Sequence, residues 1–468
     1  VITFFNTLTR TKEPFTPHED KIVRLYTCGP TVYHYAHIGN FRTYVFEDLL
    51  RRTLQYFGYD VQQAMNITDV DDKTIKGAIR DNVTLDAYTT PYTNAFLEDL
   101  KTLNCQDVEY RPKATDYIPD MIKMIEQLIE KGVAYKGHDG SVYFSIEKFP
   151  QYGALSHLHL DELKEGGSER VSHDEYDKER VADFVLWKGY EEERDGKIYW
   201  ESPWGKGRPG WHIECSAMAT SLLGPKLDIH CGAVDNIFPH HENEIAQSEA
   251  CTGCKFVKTW LHSEHLIVDG RKMSKSLGNF FTLRDLLNKG YQGREIRYLL
   301  LSVHYRTQLN FTMEGLEASR HALKRLDDFV GRLQDVVPGN TEGDVNGLVT
   351  TTREKIKQAL ADDLNISPAL AALFDLVRHA NQMIDEGMIG HRGKDVLLQF
   401  LHELDELFGI FIWNQEISIP ADVQEAFDKR LVARKEKNWA EADRLRAVIH
   451  SAGFQIEDTA QGPKLKKS

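Results

Sequence analysis

Two groups of residues in this chain have the types and spacings that chemistry requires. His37-Ile38-Gly39-Asn40 follows an apolar run and opens a stretch of helical period, so backbone N–H groups and the positive end of a helix dipole would face a phosphate there. Lys272-Met273-Ser274-Lys275-Ser276 adds two ammonium groups on a loop, and together the two signatures describe a phosphate clamp. The second group is metal-binding in character. Cys28 ends the first strand, Cys215 lies in Trp211-His212-Ile213-Glu214-Cys215, and His240 and Glu244 stand four apart, a spacing that puts an imidazole and a carboxylate on one helical face. Two thiolates, an imidazole and a carboxylate make a tetrahedral zinc set. Spacing leaves His241 and Glu242 open as rivals, and a buried structural role is the commoner fate of any single cysteine. Cys251-Thr252-Gly253-Cys254 reads as a turn with two ordinary thiols, a second metal site or redox pair being the alternative.

The elements that must carry these residues are legible. Ile22–Thr27 reads as a strand broken by Gly29-Pro30. Val45, Phe46, Leu49, Leu50 and Leu54 recur at helical spacing up to Gly58, and Val61–Thr68 reads as a second strand. Such a β-α-β unit implies a right-handed crossover and a parallel sheet whose ligands lie beyond the strand carboxyl ends, where Cys28, His37 and Thr68 all fall. Ile122, Ile125, Leu128 and Ile129 mark a further helix closed by Gly132, and residues 133–135 with 142–144 suggest a hairpin around Asp139-Gly140. Residues 156–180 turn polar and charged, an insertion after which the nucleotide-binding fold resumes near Trp204 and continues through Leu227-Asp228-Ile229-His230. Leu266–Val268 is the last strand expected before the lysine loop. Beyond Asp285 helical patterning takes over, with a loop at Pro338-Gly339-Asn340 and a linker at Ile417-Ser418-Ile419-Pro420.

At 468 residues the chain exceeds one ordinary core, so three or four domains of ~100–200 residues are expected. With 41% apolar and 27% charged residues it has the usage of a globular protein. No run approaches the ~18 apolar residues of a spanning helix, and the first residues lack a signal pattern; no membrane association and a cytoplasmic location are the expectation. The net charge of −14 is unevenly spread: residues 429–468 hold ten Lys and Arg against five acids, so the remainder carries −19. A footprint for a polyanion is therefore confined to one end, a solvated helix face being the plainer alternative. Six scattered cysteines are too few for a disulfide framework.

In the order strand, His-Ile-Gly-Asn turn, helix, long insertion and Lys-Met-Ser-Lys-Ser loop, the chain resembles the class I aminoacyl-tRNA synthetases. The Cys28-Gly29-Pro30-Thr31-Val32-Tyr33, Asn66–Lys73, Asp183–Lys188, Trp204–Met218 and His240–Glu244 blocks narrow the resemblance to the cysteinyl-tRNA synthetase family over nearly the whole chain. The fold this implies is an α/β, Rossmann-like parallel-sheet catalytic domain with an inserted connective segment, followed by an α-helical bundle and a small anticodon-binding domain. The boundaries expected are 1–115 and 204–265 for the two catalytic halves, 116–203 for the insertion, 266–315 for a stem-contact region with the lysine loop, 316–413 for the bundle and 420–468 for the anticodon domain. The resemblance implies Zn2+ on Cys28, Cys215, His240 and Glu244, one per chain, and Mg2+ with ATP. It implies His37, Asn40, Lys272 and Lys275 as catalytic, ATP-binding residues, with Asp235 near the ribose, and Gly29, Thr68 and Trp211 around L-cysteine. Arg434, Trp439, Asp443 and Asp458 match anticodon-reading positions for a tRNA partner. A monomer without an editing domain is expected, since a metal that prefers thiolate to hydroxyl would do the sorting. The family's first signature usually ends in His where this chain has Asn40, and it has more glycines where this chain reads 230–236. Rival readings are a cysteine ligase acting on a small-molecule amine, against which the basic tail speaks, a methionine-specific relative, and an inactive RNA-binding protein.

Overall fold

A computed structural model of the chain describes residues 1–158, 183–337, 339, 343–413, 420–459 and 462–467. Most of the polar insertion, Pro338 and Asn340 of the 338–340 loop and most of the 417–420 linker lie outside the described residues. The chain divides into two compact units, the first comprising Val1–Arg320, Glu354–Ala372 and Glu406–Gly409, the second comprising His321–Arg353, Leu373–Asp405 and Ile410–Ser468.

The first unit is built on a four-stranded, wholly parallel sheet of β1 (Ile22–Thr27), β2 (Asp60–Met65), β3 (Leu227–Ala233) and β4 (Val257–Ser263), in the order β4-β3-β1-β2. Both faces are covered, as parallel sheets require. Val23, Leu25, Val61, Ile229 and Leu261 pack with Phe46, Leu50 and Leu54 of helix α1 (Ile38–Tyr56), while Tyr26, Ala64 and Trp260 pack on the opposite side with Ile213, Ala217 and Met218 of helix α2 (Trp211–Leu223). The alternation along β1 is the period of two that sends successive side chains to opposite faces. The second strand stops at Met65 rather than Thr68. Thr68 instead joins Thr31 by an isolated parallel bridge, in which the Val32 N–H donates to the Thr68 carbonyl and the Thr68 N–H to the Pro30 carbonyl. The expected helix forms at Ile118–Glu130 and the expected hairpin pairs Ala134–Lys136 with Val142–Ser145. That hairpin belongs to a separate antiparallel sheet that includes Asp183–Gly189 and Gly207–Pro209, so the parallel fold resumes at α2.

Helix α1 is anchored by charge as well as by oil. Asp48, nearly fully buried, accepts from Arg52 Nε at 2.7 Å, Arg297 Nη2 at 2.5 Å and the Gln106 N–H at 2.7 Å. Burial alone would raise the Asp48 pKa, but the two guanidiniums outweigh it and hold the carboxyl below its ordinary value.

The second unit contains α-helical segments within 313–335, 345–361, 366–385 and 391–408. It also holds a small terminal module, in which Ala421–Lys435 and Trp439–Ser451 pack with a hairpin of Phe454–Thr459 and Gly462–Lys467 around Phe427, Leu445, Ile449 and Phe454.

Candidate active site and metal centre

The two phosphate signatures meet at the start of α1. His37 caps the helix: its Nδ1 accepts from the Asn40 N–H at 3.2 Å, and the Asn40 side-chain Oδ1 accepts from the His37 N–H at 3.0 Å, a reciprocal capping box. The Ile38 N–H is also taken, by the Phe281 carbonyl at 3.0 Å. The sequence suggested a row of open N–H groups; the structure leaves Gly39 N–H and the Asn40 Nδ2 group as the donors of this turn without an acceptor among the described residues. Gly39 is where the lysine loop arrives, since a Cβ there would lie 2.9 Å from His37 Nδ1 and 3.1 Å from Met273 Cε. His37 also packs edge-on against Phe280 at 5.3 Å and bridges to Thr282. Lys272 is exposed on a hairpin with Leu266–Val268 whose turn is Asp269-Gly270, both with positive φ. Lys275 opens the short helical turn that follows, and its side chain lies outside the described set.

The second constellation converges at the carboxyl edge of the sheet. Ligand atoms of Cys28, Cys215, His240 and Glu244 all lie within 4.8 Å of one another. His240 Nε2 is 3.1 Å from Glu244 Oε1, and Cys28 Sγ is 3.9 Å from the same oxygen. Tetrahedral ligands at ~2.0–2.3 Å from a zinc ion stand roughly 3.3–3.8 Å apart, so the spacing fits. The i, i+4 contact forms although His240 sits in a π-helical turn and Glu244 in the α-helix α3 (Glu242–Thr252). Glu242 is otherwise committed: its carboxylate accepts from Gly153 N, Ser156 N and Ser156 Oγ at 2.8–2.9 Å. His241 remains a rival, because Cys28, His230, His241 and Glu244 form a second group meeting the same distance limit.

Burial sets the electrostatics here. It pushes the Cys28 thiol well above its ordinary pKa and raises those of Cys215 and Glu244. It also lowers His240 and His241 well below theirs and His212 and His262 to about 3. Burial thus disfavours the charged form of each of these groups, in a cluster of soft and borderline donors in which Cys28 is half-buried and the others are buried, and a dication would favour the deprotonated thiols and carboxyl as ligands. The imidazoles are oriented from behind. His240 Nδ1 is 2.9 Å from His212 Nδ1; His241 Nδ1 is 2.7 Å from His262 Nε2, whose Nδ1 is 2.7 Å from Thr7 Oγ1; His230 Nε2 is 2.9 Å from Glu244 Oε2.

Sequence reasoning did not identify His212, His230, His262, Asn66 or Glu214 as parts of this site. His212 and Glu214 sit beside Cys215 in a buried helix, and a polar residue in an apolar run was the signal on offer. Around the pocket, Trp211 stacks on His240 with centroids 4.1 Å apart, and a Cβ on Gly29 would meet the Asn66 carbonyl oxygen at 1.6 Å, which keeps that position a glycine. Asp235 is exposed beyond the end of β3 with Oδ1 3.4 Å from His265 Nε2. In the second unit, Arg434 and Asp443 are exposed and Trp439 is 58% exposed at the first turn of its helix, so it is no core aromatic. The Asp458 side chain lies outside the described residues.

Residues 14–321 match the family described as tRNA synthetases class I (C) catalytic domain, and residues 355–411 match the DALR domain. The cysteine-tRNA ligase of Protochlamydia amoebophila is 60% identical over 464 residues, 99% of this chain and 97% of the relative. That of Chlamydia pneumoniae is 57% identical over 467 residues, covering 99% and 98%. Among solved structures, Mycobacterium tuberculosis methionyl-tRNA synthetase in complex with methionyl-adenylate aligns with a TM-score of 0.60 at 14% identity, over 83% of this chain and 89% of that one, a likeness of fold. The parallel sheet, the paired signatures and near full-length identity agree: the chain belongs to the cysteine-tRNA ligase family of class I synthetases.

Proposed function

We propose that the enzyme joins L-cysteine to the α-phosphate of ATP as cysteinyl-adenylate, releasing pyrophosphate, before passing the aminoacyl group to tRNA, and that Cys28, Cys215, His240 and Glu244 would hold a zinc ion for selection of the substrate by its sulfur. Membership of the family makes the chain a ligase that charges tRNA with cysteine, forming a carbon–oxygen bond. The observation that carries the finer reading is the convergence of two thiols, an imidazole and a carboxylate within 4.8 Å, Cys28 half-buried and the other three buried, at the same sheet edge as the His37 turn. Bound zinc supplies affinity for thiolate over alcohol oxygen, the one chemical difference between cysteine and serine. A donor set with two thiolates suits that ion better than one with a single thiolate, which favours Cys215 and His240 over His230 and His241 as ligands. His212 at His240 Nδ1 leaves the Nε2 lone pair turned toward Glu244, and His241 and His230 support Cys28 and Glu244 from outside.

The chain's other residues bind and orient. Gly39 N–H and Asn40 Nδ2, at the positive end of α1, are the donors available to ATP phosphates, and Lys272 and Lys275 neutralise charge as the carboxylate attacks the α-phosphorus and pyrophosphate leaves. His37 holds that turn in shape through its cap, Asp235 lies beyond β3 for the ribose, and Mg2+ accompanies the phosphates. Thr68 and the Gly29 backbone meet the substrate amino group and Trp211 lines its pocket. Arg434, Trp439, Asp443 and Asp458 read the anticodon by stacking and hydrogen bonding. Protein synthesis places such an enzyme in the cytoplasm, and we read it as a monomer.

Pyrophosphate exchange measured with cysteine and serine, with and without a zinc chelator, alongside tRNA charging, tests this. Exchange should require cysteine and metal. Equal exchange with serine would remove zinc selectivity, and exchange without charging would make the enzyme a ligase for a small-molecule amine.

A further inference from the structure

We propose that Glu214 is a positioning residue that makes the Thr68 hydroxyl a fixed hydrogen-bond acceptor, so that the pocket selects the protonated amino group of its substrate as well as the sulfur. This rests on the reading that Thr68 meets the amino group.

The direction of each hydrogen bond follows from one obligate donor. The Gly29 backbone N–H can only donate, and it does so to Asn66 Oδ1 at 2.9 Å. That settles which end of the Asn66 amide is oxygen, so its Nδ2 group faces Thr68 Oγ1 at 3.1 Å as a donor. A hydroxyl has one proton and two lone pairs, and one lone pair is now occupied. The proton goes the other way, from Thr68 Oγ1 to Glu214 Oε2 at 3.1 Å. What Thr68 has left is a lone pair, which can accept from an ammonium and can donate to nothing.

The surroundings keep the chain of bonds from rearranging. Asn66, Thr68 and Glu214 are 1%, 2% and 1% exposed, so water has little access to exchange partners. The Thr68 backbone is pinned on both sides by Val32 and Pro30, and Gly29 is pressed against the Asn66 carbonyl too closely for any side chain. Only the hydroxyl can turn. Without an acceptor at position 214 its proton would swing into the pocket and oppose an ammonium proton head-on, a mismatch of donors in a dry site.

Calorimetric binding of L-cysteine and of 3-mercaptopropionate, which keeps the thiol and carboxylate but lacks nitrogen, tests the assignment. Glu214→Leu should weaken cysteine by about tenfold or more while leaving 3-mercaptopropionate within about twofold, and Glu214→Gln, whose amide oxygen still accepts, should stay within about threefold for both. Glu214→Met replaces the leucine variant if that does not fold. Equal loss for both ligands would mean that Glu214 only supports the fold, and no loss for cysteine would mean that it orients nothing; either overturns the proposal. Thr68→Val, run in parallel, separates the two levels. If it too leaves cysteine binding unchanged, the amino-group reading itself fails, whereas selective loss there without loss in Glu214→Leu sinks the positioning role alone.

Discussion

Removing metal-ligand candidates one at a time separates the two overlapping donor sets. Zinc held by four protein ligands is worth about 10–16 kcal/mol in small zinc domains, so each donor carries roughly 2.5–4 kcal/mol, or two to three orders of magnitude in affinity. A residue that only orients a ligand costs about 10–100-fold. Cys28 and Glu244 belong to both sets and cannot discriminate. Cys215 and His240 belong to one, and His230 and His241 to the other. We expect Cys215→Ala and His240→Ala each to weaken zinc at least ~100-fold, and His230→Ala and His241→Ala by about tenfold. The assay is competition against a chelator of known affinity on the folded full-length enzyme, with melting temperature as a control, since Cys215 is buried in the core beside Tyr26 and Met218. The reverse order, with Cys215→Ala binding zinc as the parent does while His241→Ala loses it, would refute the assignment. Equal affinity in all four variants would place the metal elsewhere.

Other expectations follow from charge and exposure. Lys272 is exposed, so Lys272→Ala should leave the melting temperature unchanged yet lower cysteine-dependent exchange by about 100–1,000-fold; a stability loss with exchange intact would contradict its role. Trp439→Ala should leave exchange and stability intact while raising the KM for tRNA about 10–100-fold, the worth of one stacked base, as measured by charging. Asp48→Asn leaves two buried guanidiniums, Arg52 and Arg297, without their counter-charge and should cost about 3–5 kcal/mol in denaturant unfolding. Because the folded pKa of Asp48 lies below its unfolded value, its contribution is complete above the unfolded value near ~3.9 and is lost as pH falls through the folded one. The gap between Asp48→Asn and the parent should therefore narrow in acid, and a constant gap down to the lowest pH at which both fold would refute this.

How much of this was legible before folding depends on the range of the signal. β1 and α1 could be read because an apolar run, a Gly-Pro break and a helical period are local, and Cys28 and His37 came with them. β4 was not read: Trp260, Leu261, His262 and Ser263 are all buried, so a strand covered on both faces has no alternation to show. The helices Asp72–Arg80 and Leu85–Thr102 also went unread, the second carrying Pro91 in its interior, a residue that ordinarily breaks a helical pattern. The meeting of Met273 with Gly39 depends on segments more than two hundred residues apart, and no local pattern encodes it.

The same limit explains what the site added. Motif spacing named donors one by one, and it left His240 and His241 equivalent because adjacent residues in one helix share their local context. Their difference is a matter of what stands behind each ring: His212 for one, His262 and then Thr7 for the other. Hydrogen-bond direction is likewise a property of the assembled pocket. Asn66 and Thr68 each have more than one way to bond, and their directions follow only from the two ends of the chain together, the Gly29 N–H that donates and the Glu214 Oε2 that accepts. The positioning role proposed for Glu214 belongs to this class, since the residue is recognisable only from the donors and acceptors assembled around it.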